Sequence, residues 1–221
     1  MYIVNNRLVR YSVLVAKIFP PTGKGKKKET IQAIQQKALD SWLNAASRVI
    51  LLNRVEEIAY LNTTGVFFEE KYADAPNVND AMDVLSSELP DAGYGVLVED
   101  RVVVEAKGSY TLDRVRREAQ LSRAWVCVAE IDYEDSETGE SIGTGGAVFW
   151  ISKNVAKYLK ETCKNPPYLS NYPEWSNWLQ EEIQSKVVGH RYFDASDHKL
   201  AKTLGDKSMP IAKITMPFTR H

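Results

Sequence analysis

Two adjacent carboxylates, Glu99-Asp100, follow the apolar run Gly95-Val96-Leu97-Val98. An acid at the end of a buried strand can hold a hard divalent cation, and such a cation can bridge and neutralise a diphosphate leaving group. Acids at strand ends are more often simply solvated turn residues, and the pair alone does not establish the metal reading. A second group is Glu174-Trp175-Ser176-Asn177-Trp178-Leu179. Trp175, Trp178 and Leu179 fall at i, i+3 and i+4, so core packing of a helix is the default. Two tryptophans beside acidic and amide groups also suit a sugar-stacking wall. Glu174, Glu181 and Glu182 stand there as candidate general bases. A third group is the cationic loop Gly23-Lys24-Gly25-Lys26-Lys27-Lys28, fitted either to solubility or to holding phosphate.

Several familiar signatures are absent. No G-x-x-x-x-G-K-[ST] occurs, and Gly23-x-Gly25 lacks the third glycine of a dinucleotide fingerprint. No G-x-S-x-G is found. The histidines are His190, His198 and His221, too few and too late in the chain for a His-rich zinc site.

The elements that must position these groups alternate in type. Tyr11 to Ile18 reads as a buried strand stopped at Phe19-Pro20-Pro21. Ile31, Ile34, Ala38, Leu39, Trp42 and Leu43 form one apolar stripe of a helix, with Thr30 as its N-cap. Arg48 to Asn53 is a second strand, Val55 to Leu61 a polar helical segment, and Val66 to Glu69 a third strand. Pro76-Asn77-Val78-Asn79-Asp80 opens a further helix that buries Ala81, Met82, Leu85 and Leu89, and Gly95 to Asp100 is a fourth strand. Strands separated by helices imply a parallel α/β sheet, which binds ligands at the carboxyl ends of its strands. Those ends carry Phe19, Asn53, Glu69 and Glu99-Asp100. Beyond Asp100 the pattern is mixed. Arg101 to Val104 is extended, Thr111 to Arg123 a charged helix, and Ala124 to Tyr133 a strand joined through a hairpin tip at Asp135 to Glu140 to a strand at Gly146 to Ile151. Ser152 caps a helix running to Cys163, Pro173 starts another that runs to about Lys186, and His190 to Asp194 is a last strand. A polar tail follows from about residue 201.

Composition sets the outer bounds. The 221 residues are 44% hydrophobic and 26% charged, as in ordinary globular proteins, and disorder, collagen and coiled coil are excluded as overall classes. One domain over residues 1–221 is expected. A formal net charge of -1 gives no global field toward nucleic acid or anionic membranes. No run reaches the roughly 18 apolar residues of a membrane span, no signal peptide is evident at the N-terminus, and Cys127 and Cys163 form no C-x-x-C pair, so a cytoplasmic location is expected.

Read together, the segments resemble the GT-A nucleotide-diphospho-sugar transferase superfamily, in particular a group of small glycosyltransferases. The resemblance rests on five motifs in order between about residues 11 and 200. Ile31 to Leu43 looks like that group's first helix, with its Ser-Trp-Leu ending. Val49 to Glu57 is similar to its second strand and acidic turn. Val96-Leu97-Val98-Glu99-Asp100 falls where the family carries a metal-binding aspartate, Glu174 to Leu179 resembles a Trp-Asp-Asn-Trp-Leu motif, and Phe193-Asp194-Ala195-Ser196 resembles an Asp-Ala-Thr strand end. Departures stand beside them: Arg101 follows the acidic pair, Ser176 replaces the acid of the tryptophan motif, and His198 is offset from the family's late histidine.

The resemblance implies a GT-A-like single domain with a mostly parallel central sheet, flanking helices and a mixed C-terminal half. It implies a glycosyltransferase that moves a sugar from a nucleotide-diphosphate sugar to a hydroxyl acceptor, with Mn²⁺ or Mg²⁺ on Asp100 and with His198 as a further metal ligand. Phe19, Asn53, Glu56, Asn77 and Glu99 are then nucleotide-sugar positions, with Lys24 and Lys26 closing over the phosphates. Glu174 or Glu181 is the base, and Tyr172 and Trp175 bind the acceptor. That acceptor is a glycan or a hydroxylated base in DNA, the latter stacked on Tyr168, Tyr172 or Trp175. Ser176 keeps open a catalytically inactive nucleotide-binding or assembly protein of the same fold.

Overall fold

The computed structural model describes residues 3–4, 7–8, 12–22, 24–91, 93–104, 126–134, 141–172, 174–183, 211–213 and 218–220. Strands β1 (Ile3–Val4) and β2 (Arg7–Leu8) pair with each other antiparallel. Every residue of β3 (Ser12–Ala16) is buried, as a strand covered on both faces requires, which explains its apolar sequence. β4 (Arg48–Leu51) and β6 (Tyr94–Leu97) flank β3 in parallel, and β5 (Phe67–Phe68) continues in parallel beyond β4.

Beyond β6 the sheet changes direction. β9 (Ser141–Ser152) runs antiparallel to β6 and to β8 (Val126–Glu134). β10 (Ile211–Lys213) and β11 (Phe218–Arg220) lie parallel to β8, and β7 (Val102–Val104) closes antiparallel on β11. The order is β5-β4-β3-β6-β9-β8-β11-β7, a mixed, mostly parallel sheet of an α/β fold.

Alternation along β3 divides the core. Leu14, Ala16 and Ile18 face α1 (Lys26–Ala45), whose Ala38, Leu39 and Trp42 are fully buried. The Trp42 indole also donates to the Val102 carbonyl at 2.7 Å, which satisfies its one polar atom. Val13 and Val15 face α2 (Val78–Glu88), α3 (Lys153–Thr162) and α4 (Glu174–Glu182) on the other side. α2 and α3 are clasped by Asp83, which accepts from both Tyr72 and Lys160. A Cβ on Gly95 of β6 would lie 2.2 Å from the Leu85 Cδ2 of α2, so any larger residue would force the buried Leu85 side chain to move.

Three local expectations change. α1 begins at Lys26, not after Thr30, because Gly25 with φ 66 ends the loop in a backbone that glycine adopts without strain. Thr30 is inside the helix and donates to the Lys26 carbonyl, and Lys26 to Lys28 form the first turn of α1 instead of a loop. The segment after Asn53 is a short 3-10 helix, Val55–Ile58. The stretch read as a polar tail supplies β10 and β11, whose short β-branched and aromatic runs give β8 and β7 their partners. The ends of α3 agree with the sequence: Ser152 caps it through the Val155 amide and Cys163 closes it. The 111–123 helix, the 135–140 hairpin tip, the 190–194 strand, Phe193 to Ser196 and His198 lie outside the described residues. No helix among the described residues is long and apolar enough to cross a membrane.

Candidate functional site

The carboxyl ends of β3 and β6 meet the side of α1 around a cavity of about 170 Å³. Phe19, Ile31, Gln35, Glu99, Asp100, Arg101, Leu169, Ser170 and Tyr172 line it. Strand β6 stops at Leu97, and Glu99-Asp100-Arg101 makes a turn closed by the Val102 amide on the Glu99 carbonyl at 3.1 Å. That turn carries both carboxylates into the interior, with Glu99 7% and Asp100 5% exposed.

Asp100 is held through Oδ2, which accepts from the Phe19 amide at 3.0 Å and from Gln35 Nε2 at 2.7 Å. Gln35 is itself fixed on three sides. Its Nε2 also donates to the Phe19 carbonyl at 2.8 Å, and its Oε1 accepts from the Tyr60 hydroxyl at 2.7 Å. Arg101 lies over the pair, its guanidinium 3.3 Å from Glu99 Oε1 and 3.6 Å from Asp100 Oδ1. Burial first, and then the charge of Glu99, push the Asp100 carboxyl up to about 7, against the pull of the Phe19 amide and Arg101. Burial and the Asp100 charge likewise raise the Tyr60 hydroxyl to about 12.

Next to this cavity, Asn53 is fully buried at the end of β4. Its Oδ1 accepts from the Ile18 amide at 3.0 Å and its Nδ2 donates to the Ile18 carbonyl at 2.9 Å, so it extends the β3 ladder by one side-chain rung. Asn53 also donates to Glu57 Oε2 at 2.9 Å, and the same oxygen accepts from the buried Lys17 ammonium at 2.6 Å. Lys17 reaches on to the Ala73 carbonyl at 2.9 Å, which ties the 70–75 segment to the strand. Burial raises the Glu57 carboxyl, but the bonds from Lys17 and Asn53 and the Lys17 charge outweigh it and hold the group below the usual range. The acid turned inward is thus Glu57, and Glu56 is exposed.

A second depression, about 590 Å³, lies along α4 and is lined by Asn165, Pro167, Glu174, Asn177, Trp178 and Glu181. It shares no lining residue with the Asp100 cavity, although the 163–172 loop contributes to both. The structure brings together Phe19, Glu99, Asp100 and Tyr172 in one place and Glu174 and Glu181 in another. Trp175 is 2% exposed, packed in the core and 5.6 Å from the Tyr172 ring, so it offers no stacking face to an acceptor. Ser176 is buried beside it, a position where an acid would be removed from water. Asn77 caps α2, accepting from the Asn79 and Asp80 amides. Lys24 and Lys26 are exposed at the start of α1.

Lys17, Gln35, Glu57, Tyr60 and Arg101 belong to the site and were missed in the sequence. The detectable signals were Gln35 on the apolar stripe, four residues after Ile31 and three before Ala38, and Lys17 inside the apolar run Val15-Ala16-Lys17-Ile18.

Among the described residues no group of three or more His, Cys, Asp and Glu side chains is placed to hold a metal ion. The donor chemistry of Glu99 and Asp100 nevertheless fits Mg²⁺ or Mn²⁺. These ions take one or two protein carboxylates and complete their shell with phosphate oxygens and water. Burial first and the Glu99 charge second raise the Asp100 carboxyl, and a divalent cation beside the pair would favour its charged form against both.

No family model matches the chain, and no curated protein matches it. Among solved structures it is similar to the complex of Rv0371C with manganese from Mycobacterium tuberculosis H37Rv, at 11% identity and a TM-score of 0.38, over 81% of this chain and 84% of that one. At that level the likeness specifies neither fold nor ligand.

Proposed function

We propose that the chain is a metal-dependent glycosyltransferase that moves a sugar from a nucleotide-diphosphate sugar to a hydroxyl acceptor. The observation that supports it is the buried acidic pair Glu99-Asp100 at the carboxyl end of β6, in a cavity between parallel strands and a helix. Asp100, with Glu99, would hold Mg²⁺ or Mn²⁺. Such an ion, when bound, acts as a Lewis acid on the diphosphate leaving group.

The other roles belong to the chain itself. The Phe19 amide and Gln35 fix the orientation of the Asp100 carboxylate, so it is held before any ligand arrives. Arg101, about one-third exposed at the cavity wall, presents a guanidinium to phosphate oxygens. Lys24 and Lys26 meet the same phosphates from the start of α1. The rings of Phe19 and Tyr172, with Ile31 and Leu169, form the apolar part of the wall. Glu174 and Glu181 serve the acceptor, taking its hydroxyl proton where the 163–172 loop lets that hydroxyl reach the donor.

A thermal-shift screen of UDP, GDP and CDP sugars, each with and without Mn²⁺, tests the reading. A ligand at 100 times its Kd adds about 2.7 kcal/mol, several degrees in Tm for a chain of this size. A rise with one nucleotide sugar that needs Mn²⁺, and that is lost in Asp100→Ala, is the expected result. No rise with any donor in a cooperatively melting protein overturns it. The separation of Glu174 and Glu181 from the Asp100 cavity favours a second reading, a nucleotide-binding or assembly protein without turnover. Donor binding without release of free nucleoside diphosphate, across a panel of acceptors, distinguishes it.

A further inference from the structure

The outward face of α4 carries Glu174, Asn177, Trp178 and Glu181 at i, i+3, i+4 and i+7, one continuous stripe over two turns. The opposite face, Trp175, Ser176 and Leu179, is buried. With Asn165 and Pro167 the stripe borders an open depression of about 590 Å³, a volume within the range of small-molecule sites. We propose that this depression binds a neutral carbohydrate, one sugar ring stacking on Trp178 while Asn165, Asn177, Glu174 and Glu181 bond its hydroxyls.

Three features select that chemistry. Trp178 is half-buried and packs against the core cluster on one side, so its ring is held in place while part of it borders the depression. An immobilised indole matches the apolar C–H face of a pyranose. The two amides both donate and accept and the two carboxylates accept, the mixture that a ring of hydroxyls requires. Among the described residues the lining includes two acids and no Lys, Arg or His, which disfavours phosphates and sulfated sugars there. This inference deepens the transferase reading and rests on it for the role of acceptor, although saccharide binding itself needs neither metal nor nucleotide. Where that reading holds, the depression supplies the acceptor class.

Saturation-transfer NMR and calorimetric titration of the full chain test it. The probes are methyl glucoside, galactoside, mannoside and N-acetylglucosaminide, with maltotriose, cellotriose and chitotriose. The expected result is saturable binding of at least one saccharide. Asn177→Ala and Glu181→Gln each weaken it roughly fivefold, as loss of about one hydrogen bond implies. Trp178→Ala weakens it roughly tenfold or more. Because Trp178 also packs on the core, the exposed Asn177 and Glu181 variants keep the test valid if Trp178→Ala unfolds. Asp100→Asn leaves the saccharide titration unchanged even where it abolishes Mn²⁺-dependent nucleotide binding, so the two readings fail separately. No saturable binding by any probe, or binding that Asn177→Ala and Glu181→Gln both leave intact, overturns the proposal.

Discussion

The Asp100 cavity and the α4 depression both combine acids, amides and aromatic rings, yet the fold treats them differently. Around Asp100 the polar groups are buried and bound to one another: a carboxylate on a backbone amide and a glutamine, the glutamine on a tyrosine, an asparagine on a strand end. Along α4, Glu174, Asn177 and Glu181 are exposed to water. Burial converts ordinary side chains into altered ones, because removal from water makes each charge and each unmade hydrogen bond expensive. Exposure leaves them as recognition groups, whose worth lies in what they meet. The first region is built for electrostatics and the second for contact.

The strongest way to break that comparison is to remove the buried charge. The Asp100 carboxyl, raised to about 7 by burial and Glu99, compares with about 3.9 in an unfolded chain. Between those values the folded state binds the proton more tightly than the unfolded state. The free energy of unfolding therefore falls as pH rises from about 4 to about 7 and is level above that. Asp100→Asn keeps the shape and removes the charge. In metal-free buffer at pH 8 the variant should melt several degrees above the parent, a difference that shrinks toward pH 4, and Mn²⁺ should stabilise the parent alone. A variant less stable than the parent at pH 8 would mean that Arg101 and the amide donors already compensate the charge in full.

How far the sequence disclosed this arrangement depends on what each residue had to reveal. Asp100 was legible because an apolar strand that stops at an acid marks the place where ligands meet a parallel sheet. The strands β3, β4 and β6, the start of α2 and the Ser152 cap of α3 were legible for similar reasons, being written in local runs, turn residues and a capping serine. Glu57 was not, since Glu56 is its neighbour and only the turn of a 3-10 helix decides which acid points inward. Gln35 and Lys17 left a weaker mark, a polar residue inside an apolar pattern, which takes meaning only once a partner is known. The start of α1 was misplaced because Thr30 is a good capping type, and the left-handed backbone of Gly25 is invisible in composition. The separation of Glu174 from Asp100 was beyond reach, because it depends on the path of the 163–172 loop.

Two amides on helices sharpen the comparison at a smaller scale. Gln35, 1% exposed, bridges Asp100, the Phe19 carbonyl and Tyr60, whereas Asn177 is exposed on α4. Gln35→Ala leaves these partners unmet in a buried place and opens a void, which should destabilise the fold by about 2 to 3 kcal/mol in urea unfolding. Asn177→Ala should stay within about 0.5 kcal/mol of the parent, as surface changes do. Equal effects of the two substitutions would remove the distinction between a built cavity and an exposed face.

An effect between these extremes lies at Glu57, whose side chain is 26% exposed and paired with the 6% exposed Lys17. Its carboxyl sits below the usual range despite burial, because Lys17 and Asn53 bond the charged form. A depressed carboxyl contributes stability that is fully present above its unfolded value and is lost as pH falls through its folded value. Partial exposure screens the pair, so the contribution should be about 1 kcal/mol. Glu57→Gln can still accept from Lys17 but carries no charge. The gap in unfolding free energy between parent and variant should therefore stand at about 1 kcal/mol at pH 6 and narrow as pH falls through the lowered range of the folded carboxyl. A gap that persists unchanged at pH 3 would mean that shape and hydrogen bonding, not charge, hold Lys17 and the 70–75 segment to β3, and that electrostatic control in this region is confined to the turn carrying Asp100.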